Sequence, residues 1–160
     1  DSILLNTTIL SNFASVGKLP LLHRILESKG LQPLITPQVL AEFQQGVSKG
    51  LFKANMDWAQ VIELSREGST VLQRLRGMLG QGEASCLAVA LERDLPLATD
   101  DMKARDIARR LGVLVTGTLG ILGWAVKAGL ISLDEGDNLL KAMGEQGYFS
   151  PVDSLRELLE

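Results

Sequence analysis

Asp100 and Asp101 stand side by side just after a short apolar run, and two more acids, Glu83 and Glu42, recur at comparable places earlier in the chain. From Asp100 and Asp101, steps of three and four reach Ala104, Ile107, Ala108 and Leu111, the apolar stripe of a helix. From Glu83 the same steps reach Leu87, Ala90 and Leu91, while Glu42 lies one turn beyond Val39, beside Phe43. These carboxylates thus fall at or near the amino ends of helices, on or beside faces that must pack inward. An unpaired buried carboxylate costs at least several kcal/mol, so such acids need partners. A divalent cation shared among them supplies one. With oxygen donors only, and a single cysteine and a single histidine in the chain, Mg²⁺ or Mn²⁺ is favoured over zinc.

Each acid also has a plainer role open to it. Asp100 or Asp101 can serve simply as a helix N-cap, with Asp101 and Arg105 paired at i,i+4. Glu83, following Gly82, can complement a helix dipole, and Glu42 alone reads as a surface glutamate. Recurrence argues for the joint reading. Polar or acidic residues follow the first, the second and the central strand, all on one sheet edge.

The elements that must position them follow from hydrophobic pattern. Residues 96–98 form a short buried strand, residues 99–101 a turn, residues 102–111 a helix and residues 113–115 a second buried strand, after which Thr116-Gly117-Thr118 opens another helix. Strand, helix, strand is the signature of a parallel sheet, whose ligands sit beyond the carboxyl ends of its strands. Upstream, Ser2–Leu5 reads as a first strand and residues 9–14 as a helix capped by Thr7 and Thr8. Residues 19–28 form a second helix stopped by Gly30, and residues 34–35 a minimal strand. Thr36-Pro37 then begins the helix that carries Glu42. Residues 58–64 predict a strand, residues 71–79 and 83–93 helices, and residues 133–144 and 152–159 two amphipathic helices. The expectation is a single domain over residues 1–160, an α/β protein with a three-layer α/β/α sandwich and a central parallel sheet of four to five strands.

At 160 residues and 46% hydrophobic, the chain can cover both faces of a sheet. The net charge of −3 gives no global basic field, so a nucleic acid would need a local patch. The densest is Lys103, Arg105, Arg109 and Arg110 beside the acids. A single cysteine excludes a disulfide framework and suits a reducing compartment. The longest apolar stretch, residues 113–130, is broken by glycines and carries Lys127, too weak a pattern for a membrane span. No signal-peptide pattern opens the sequence. A soluble cytoplasmic protein with no membrane contact is expected.

Five segments in order resemble the PIN-domain family, in its branch of small prokaryotic proteins related to VapC-type toxins. They are Leu4-Leu5-Asn6-Thr7-Thr8-Ile9-Leu10, the stretch from Ile35 to Phe43, Gly80-Gln81-Gly82-Glu83-Ala84, Ala98-Thr99-Asp100-Asp101 with Ala104-Arg105, and Thr116-Gly117-Thr118-Leu119-Gly120-Ile121-Leu122 with the Gly129-Leu130-Ile131 turn. The resemblance implies a metal-dependent ribonuclease whose ligand set is Asn6, Glu42, Glu83 and Asp101, with Asp100 adjacent. Glu42, Glu83 and Asp101 are the residues expected to carry catalysis. It further implies an RNA substrate, a cognate antitoxin and a homodimer. Lys103, Arg105 and Thr118 are the candidate RNA contacts, Thr118 because a helix starts there.

The departure from the family pattern is Asn6, where aspartate is expected at the end of the first strand. An amide oxygen still ligates a hard cation but brings no charge and no basicity. The alternative is therefore a catalytically inactive module that binds RNA or a protein, or a nuclease silenced by one substitution. His23 and Cys86 read as packing residues. Trp58 and Trp124 are able to stack bases, with core or interface packing as the simpler role.

Overall fold

Ile3, Leu4 and Leu5 are buried, as a strand covered on both faces requires, and form β1 (Ser2–Leu5) at the centre of the sheet. The computed structural model describes residues 1–50 and 55–159. Helices α1 (Thr7–Ser15) and α2 (Leu19–Ser28) lead to β2 (Gln32–Ile35), which pairs parallel to β1. Pro33 is tolerated within β2 because alternate residues face alternate neighbours. Gln32 N–H donates to Asp1 on the β1 side, and the ladder to the next strand begins only at Leu34. Helix α3 (Pro37–Ser48) then leads to β3 (Gln60–Val61), and α4 (Arg66–Leu75) and α5 (Gln81–Arg93) to β4 (Leu97–Ala98). After α6 (Met102–Arg110) and β5 (Val115–Thr116), the chain ends in α7 (Thr118–Lys127), α8 (Leu133–Glu145) and α9 (Arg156–Leu159).

All strand pairs are parallel, in the order β3-β2-β1-β4-β5. Strand order therefore reverses between β1 and β4. Right-handed crossovers put helices made on the two halves of the walk on opposite faces, and the packing agrees. α5 lies on β1 and β4 and touches α6, while α1, α2, α7 and α8 pack among themselves. The result is the three-layer α/β/α arrangement expected. Phe13, Ile25, Leu26, Ile35, Phe43 and Leu87 are among its fully buried side chains.

Several boundaries differ from the sequence reading, each for a local reason. The strand expected over residues 58–64 shrinks to Gln60–Val61, because Trp58 turns back to stack on His23 with ring centroids 5.1 Å apart. Helix α4 starts and ends earlier than residues 71–79. Ser65 caps it by accepting from Gly68 N–H at 3.2 Å, through a polar first turn that carries no apolar period. β5 starts two residues later and ends one residue later than the expected residues 113–115. The helix expected over residues 152–159 is confined to Arg156–Leu159, since the Asp137 carboxylate holds Ser154 Oγ at 2.7 Å and Leu155 N–H at 2.8 Å in a turn. No helix among the described residues is long and apolar enough to cross a membrane.

Candidate active site

The register of β1 on β4 aligns Leu5 with Ala98 and so sets Asn6 beside Thr99 at the carboxyl ends of the two strands. Asn6 N–H donates to the Ala98 carbonyl at 2.9 Å. Asn6, not Thr7 or Thr8, is the N-cap of α1: its Oδ1 accepts from Thr7 N–H at 2.7 Å. That bond fixes the amide orientation and sends Nδ2 to Thr99 Oγ1 at 2.8 Å. Both side chains are fully buried. The two threonines expected to cap the helix instead fall in its first turn with their hydroxyls turned to the site. Thr7 donates to Glu42 at 3.1 Å, and Thr8 accepts from Asp100 N–H at 3.0 Å.

Glu42 and Glu83 arrive from opposite sides through a link between α3 and α5. Thr36 caps α3 by accepting from Val39 N–H at 3.1 Å, and its hydroxyl lies 2.7 Å from that of Ser85, which donates to the Gly82 carbonyl. Thr36 and Ser85 are buried, so this contact locks the starts of the two helices together. The crossing is close at Gly82, where a Cβ would overlap the Glu42 carboxylate as it stands. The Glu42 carboxylate, half-buried, therefore lies directly against α5 one residue before Glu83.

Asp101 and Asp100 divide their roles. Asp101 caps α6, its Oδ1 accepting from Ala104 N–H at 2.7 Å, and its own N–H reaches Thr99 Oγ1 at 3.2 Å. Asp100 points instead to the start of α7. One oxygen accepts from Thr118 N–H at 2.8 Å; the other accepts from Asn12 Nδ2 at 2.7 Å and from the Thr118 hydroxyl. The N-cap role anticipated for this pair is real for Asp101. The Asp101–Arg105 ion pair is not formed among the described residues; Arg105 donates to the Thr99 carbonyl at 2.9 Å. Thr118, a candidate RNA contact, is fully buried with both its donors given to Asp100. Lys103 is exposed on α6.

Electrostatics tie three acids together. Burial pushes the Glu83 carboxyl above its ordinary value of 4.5, and the like charges of Glu42 and Asp101 push it the same way. Its own backbone N–H and the Asn6 side chain work in the opposite direction. Glu42, Glu83 and Asp101 thus share one field around Asn6, with Asp100 displaced toward α7. As their side chains stand, no three His, Cys, Asp or Glu groups among the described residues close around a metal position. The donor chemistry fits a hard divalent cation nonetheless. Three carboxylates and an amide oxygen with a spare lone pair are the ligands Mg²⁺ and Mn²⁺ take, and the raised affinity of Glu83 for a proton is the response a cation would relieve.

The residues sequence reasoning passed over as site-builders are Thr99, Ser85 and Asn12, small polar groups within apolar or polar runs that carry no period. Cys86 is confirmed in the core, fully buried with its thiol pushed up by burial, which removes it as a nucleophile. His23 pairs with Glu27 at 2.7 Å and stacks on Trp58; Trp124 carries the Lys29 ammonium over its ring at 4.9 Å.

Comparison with known proteins bears on the family and the fold. Residues 2–160 match a family model, DUF3368, described as a PIN domain. No curated protein sequence matches the chain. Among solved structures, VapBC2 of Rickettsia felis, bound to a DNA fragment from its promoter, is similar at 19% identity with a TM-score of 0.52, over 73% of this chain and 98% of that one. A PilT N-terminus domain protein of the hyperthermophilic archaeon Sulfolobus solfataricus P2 is similar at 22% identity and a TM-score of 0.53, over 80% of this chain and 93% of the other.

Proposed function

The chain belongs to the PIN-domain family, and on that footing we propose that it is a metal-dependent endoribonuclease, the toxin component of a toxin–antitoxin pair. The observation that supports this most is that Glu42, Asp101 and the Asn6 side chain all act on Glu83 at the strand-order reversal, where open α/β sheets bind their ligands. Glu42, Glu83, Asp101 and the Asn6 amide oxygen would hold Mg²⁺ or Mn²⁺. When bound, such a cation supplies activation of a water and neutralisation of charge developing on a displaced phosphodiester. The chain's own residues do the rest. Thr7 orients the Glu42 carboxylate, Thr99 ties Asn6 to the Asp101 amide, and Asp100 with Asn12 and Thr118 fixes the α6–α7 wall. No side-chain nucleophile is needed. The Rickettsia felis neighbour is a VapBC2 complex, and the same pairing is proposed here: an antitoxin partner, a homodimer, and a cytoplasmic setting.

One observation favours a second reading. Asn6 is built into the network as a donor as well as an acceptor, so residue 6 serves packing without a charge, as in a non-catalytic module that binds RNA or a protein. Incubating an RNA pool with the protein and its Asn6→Asp variant, with Mn²⁺, decides between them. Cleavage by either, abolished in Asp101→Asn made in the active background, is the expected result. Cleavage by neither, with Mn²⁺ binding absent from both, overturns the nuclease reading.

A further inference from the structure

Beside the acids, α6, α7 and the residues after α8 wall a groove of about 680 Å³. Its lining includes Asp100, the sequence neighbour of Asp101, and three cations, Arg105, Arg109 and Lys127. Arg105 and Arg109 are one turn apart, about 6 Å along α6. Asp100 is the one acid among its described lining residues, and both of its oxygens already accept hydrogen bonds from Asn12 and Thr118. The groove is therefore a local basic surface on a chain whose net charge is −3. Arg109 meets Asp106 only at 3.7 Å with both side chains exposed, too weak a pair to tie it down. Aromatic rings complete the lining. Tyr148 lies close enough to Asp100 and Arg105 to feel both charges. Trp124 already has Lys29 over its face, which leaves Phe149, 93% exposed, as the open ring.

We propose that this groove is the track for single-stranded RNA leaving the acidic site, with Arg105, Arg109 and Lys127 on successive phosphates and Phe149 as a base-stacking platform. The proposal rests on the nuclease reading for its direction, toward the acids. Cations spaced along a groove beside an exposed ring are what a single strand requires: backbone neutralisation with a sequence-tolerant π-face. An apolar protein helix would satisfy Phe149, Met102 and Leu158 but would have to desolvate three cations with no acid of the lining left to pair with them.

The test is fluorescence anisotropy of a labelled, unstructured dodecameric RNA with Ca²⁺ present, over a range of salt, followed by cleavage of the same strand with Mn²⁺. Phe149→Ala should weaken binding about 5- to 150-fold, and Phe149→Trp should restore it. Lys127→Ala should lower the slope of log affinity against log salt by about 0.7, a change that loss of packing would not produce. Both positions are exposed, and a melting curve checks that each variant folds. Wild-type affinity and salt slope in both alanine variants overturn the track. So does a shift of Phe149→Ala from dimer to monomer in sedimentation with RNA binding unchanged, which would make the groove a contact between copies. Cleavage by both variants with wild-type KM leaves the nuclease reading standing and removes the track. Salt-dependent binding that responds to the variants, with no cleavage by this chain or by Asn6→Asp, upholds the track and removes the nuclease reading.

Discussion

Changing Asn6 to aspartate adds one charge and almost nothing else. Aspartate caps a helix as well as asparagine does, so the bond from Thr7 N–H, 2.7 Å in the wild type, survives. The Thr99 hydroxyl can turn its own proton to the new carboxylate in place of accepting from Nδ2. What remains is a fourth carboxylate, fully buried, next to Glu83, whose carboxyl is already pushed up by burial and by Glu42 and Asp101. Two unit charges about 5 Å apart repel by about 3 kcal/mol at an effective dielectric of about 20. Uptake of a proton by Glu83 relieves part of this. For a domain of this size each 1 kcal/mol shifts Tm by about 2–4 °C, so metal-free Asn6→Asp should melt roughly 4–12 °C below the wild type. A divalent cation reverses the sign of that interaction, and about 3 kcal/mol corresponds to about two factors of ten in Kd. Calorimetric Mn²⁺ titration and melting curves with and without Mn²⁺ measure both halves. A variant that melts with the wild type in the absence of metal, and binds Mn²⁺ no more tightly, would show that the three acids do not share a field around residue 6.

Separating the two aspartates is a second test. Asp101→Asn keeps a good N-cap and should leave stability within about 0.5 kcal/mol while abolishing cleavage. Asp100→Asn sets an amide against the Asn12 amide and the Thr118 donors, and should cost about 2 kcal/mol in urea unfolding. Gly82→Ala would drive a methyl into the Glu42 carboxylate; kcat should fall about 10²-fold, with helicity by circular dichroism retained. Protonation of Glu83 gives the pH dependence. Its folded pKa lies above its ordinary 4.5, so in the window above 4.5 the folded protein holds a proton that the unfolded chain has released. Stability of the metal-free protein therefore falls as pH rises through that window. Glu83→Gln should flatten that part of a Tm-against-pH profile, and an unchanged profile would refute the assignment.

How much of this was legible in the sequence depends on range. Strands buried on both faces, such as Ile3-Leu4-Leu5 and Leu97-Ala98, announce themselves as short apolar runs, and the helices that carry the acids have clear apolar stripes. Glu42, Glu83 and Asp101 could be singled out because each begins or rides such a stripe. The threonines, serine and asparagine that aim them could not. Thr99 meets Asn6 across 93 residues and Thr36 meets Ser85 across 49, and neither partner carries a periodic signal. Only the adjacency of β1 with β4, and of the starts of α3 and α5, makes them neighbours.

The pair Asp100-Asp101 shows the limit most sharply. Two adjacent carboxylates at a strand end are equivalent in a sequence, and both were expected at the metal. Their backbone positions are not equivalent. Asp101 occupies the N-cap of α6, where extended backbone turns its side chain along the helix start and leaves it in the field of Glu83. Asp100, one residue earlier, faces the opposite way, where β5 delivers the unpaired amide of Thr118 at the start of α7. A helix amino end with an otherwise unsatisfied N–H and a buried hydroxyl supplies a carboxylate with the donors it needs. The acid nearest in sequence to the site is thus spent on holding the wall of the groove that runs from it, and the acids that converge on Asn6 come from three separate helices.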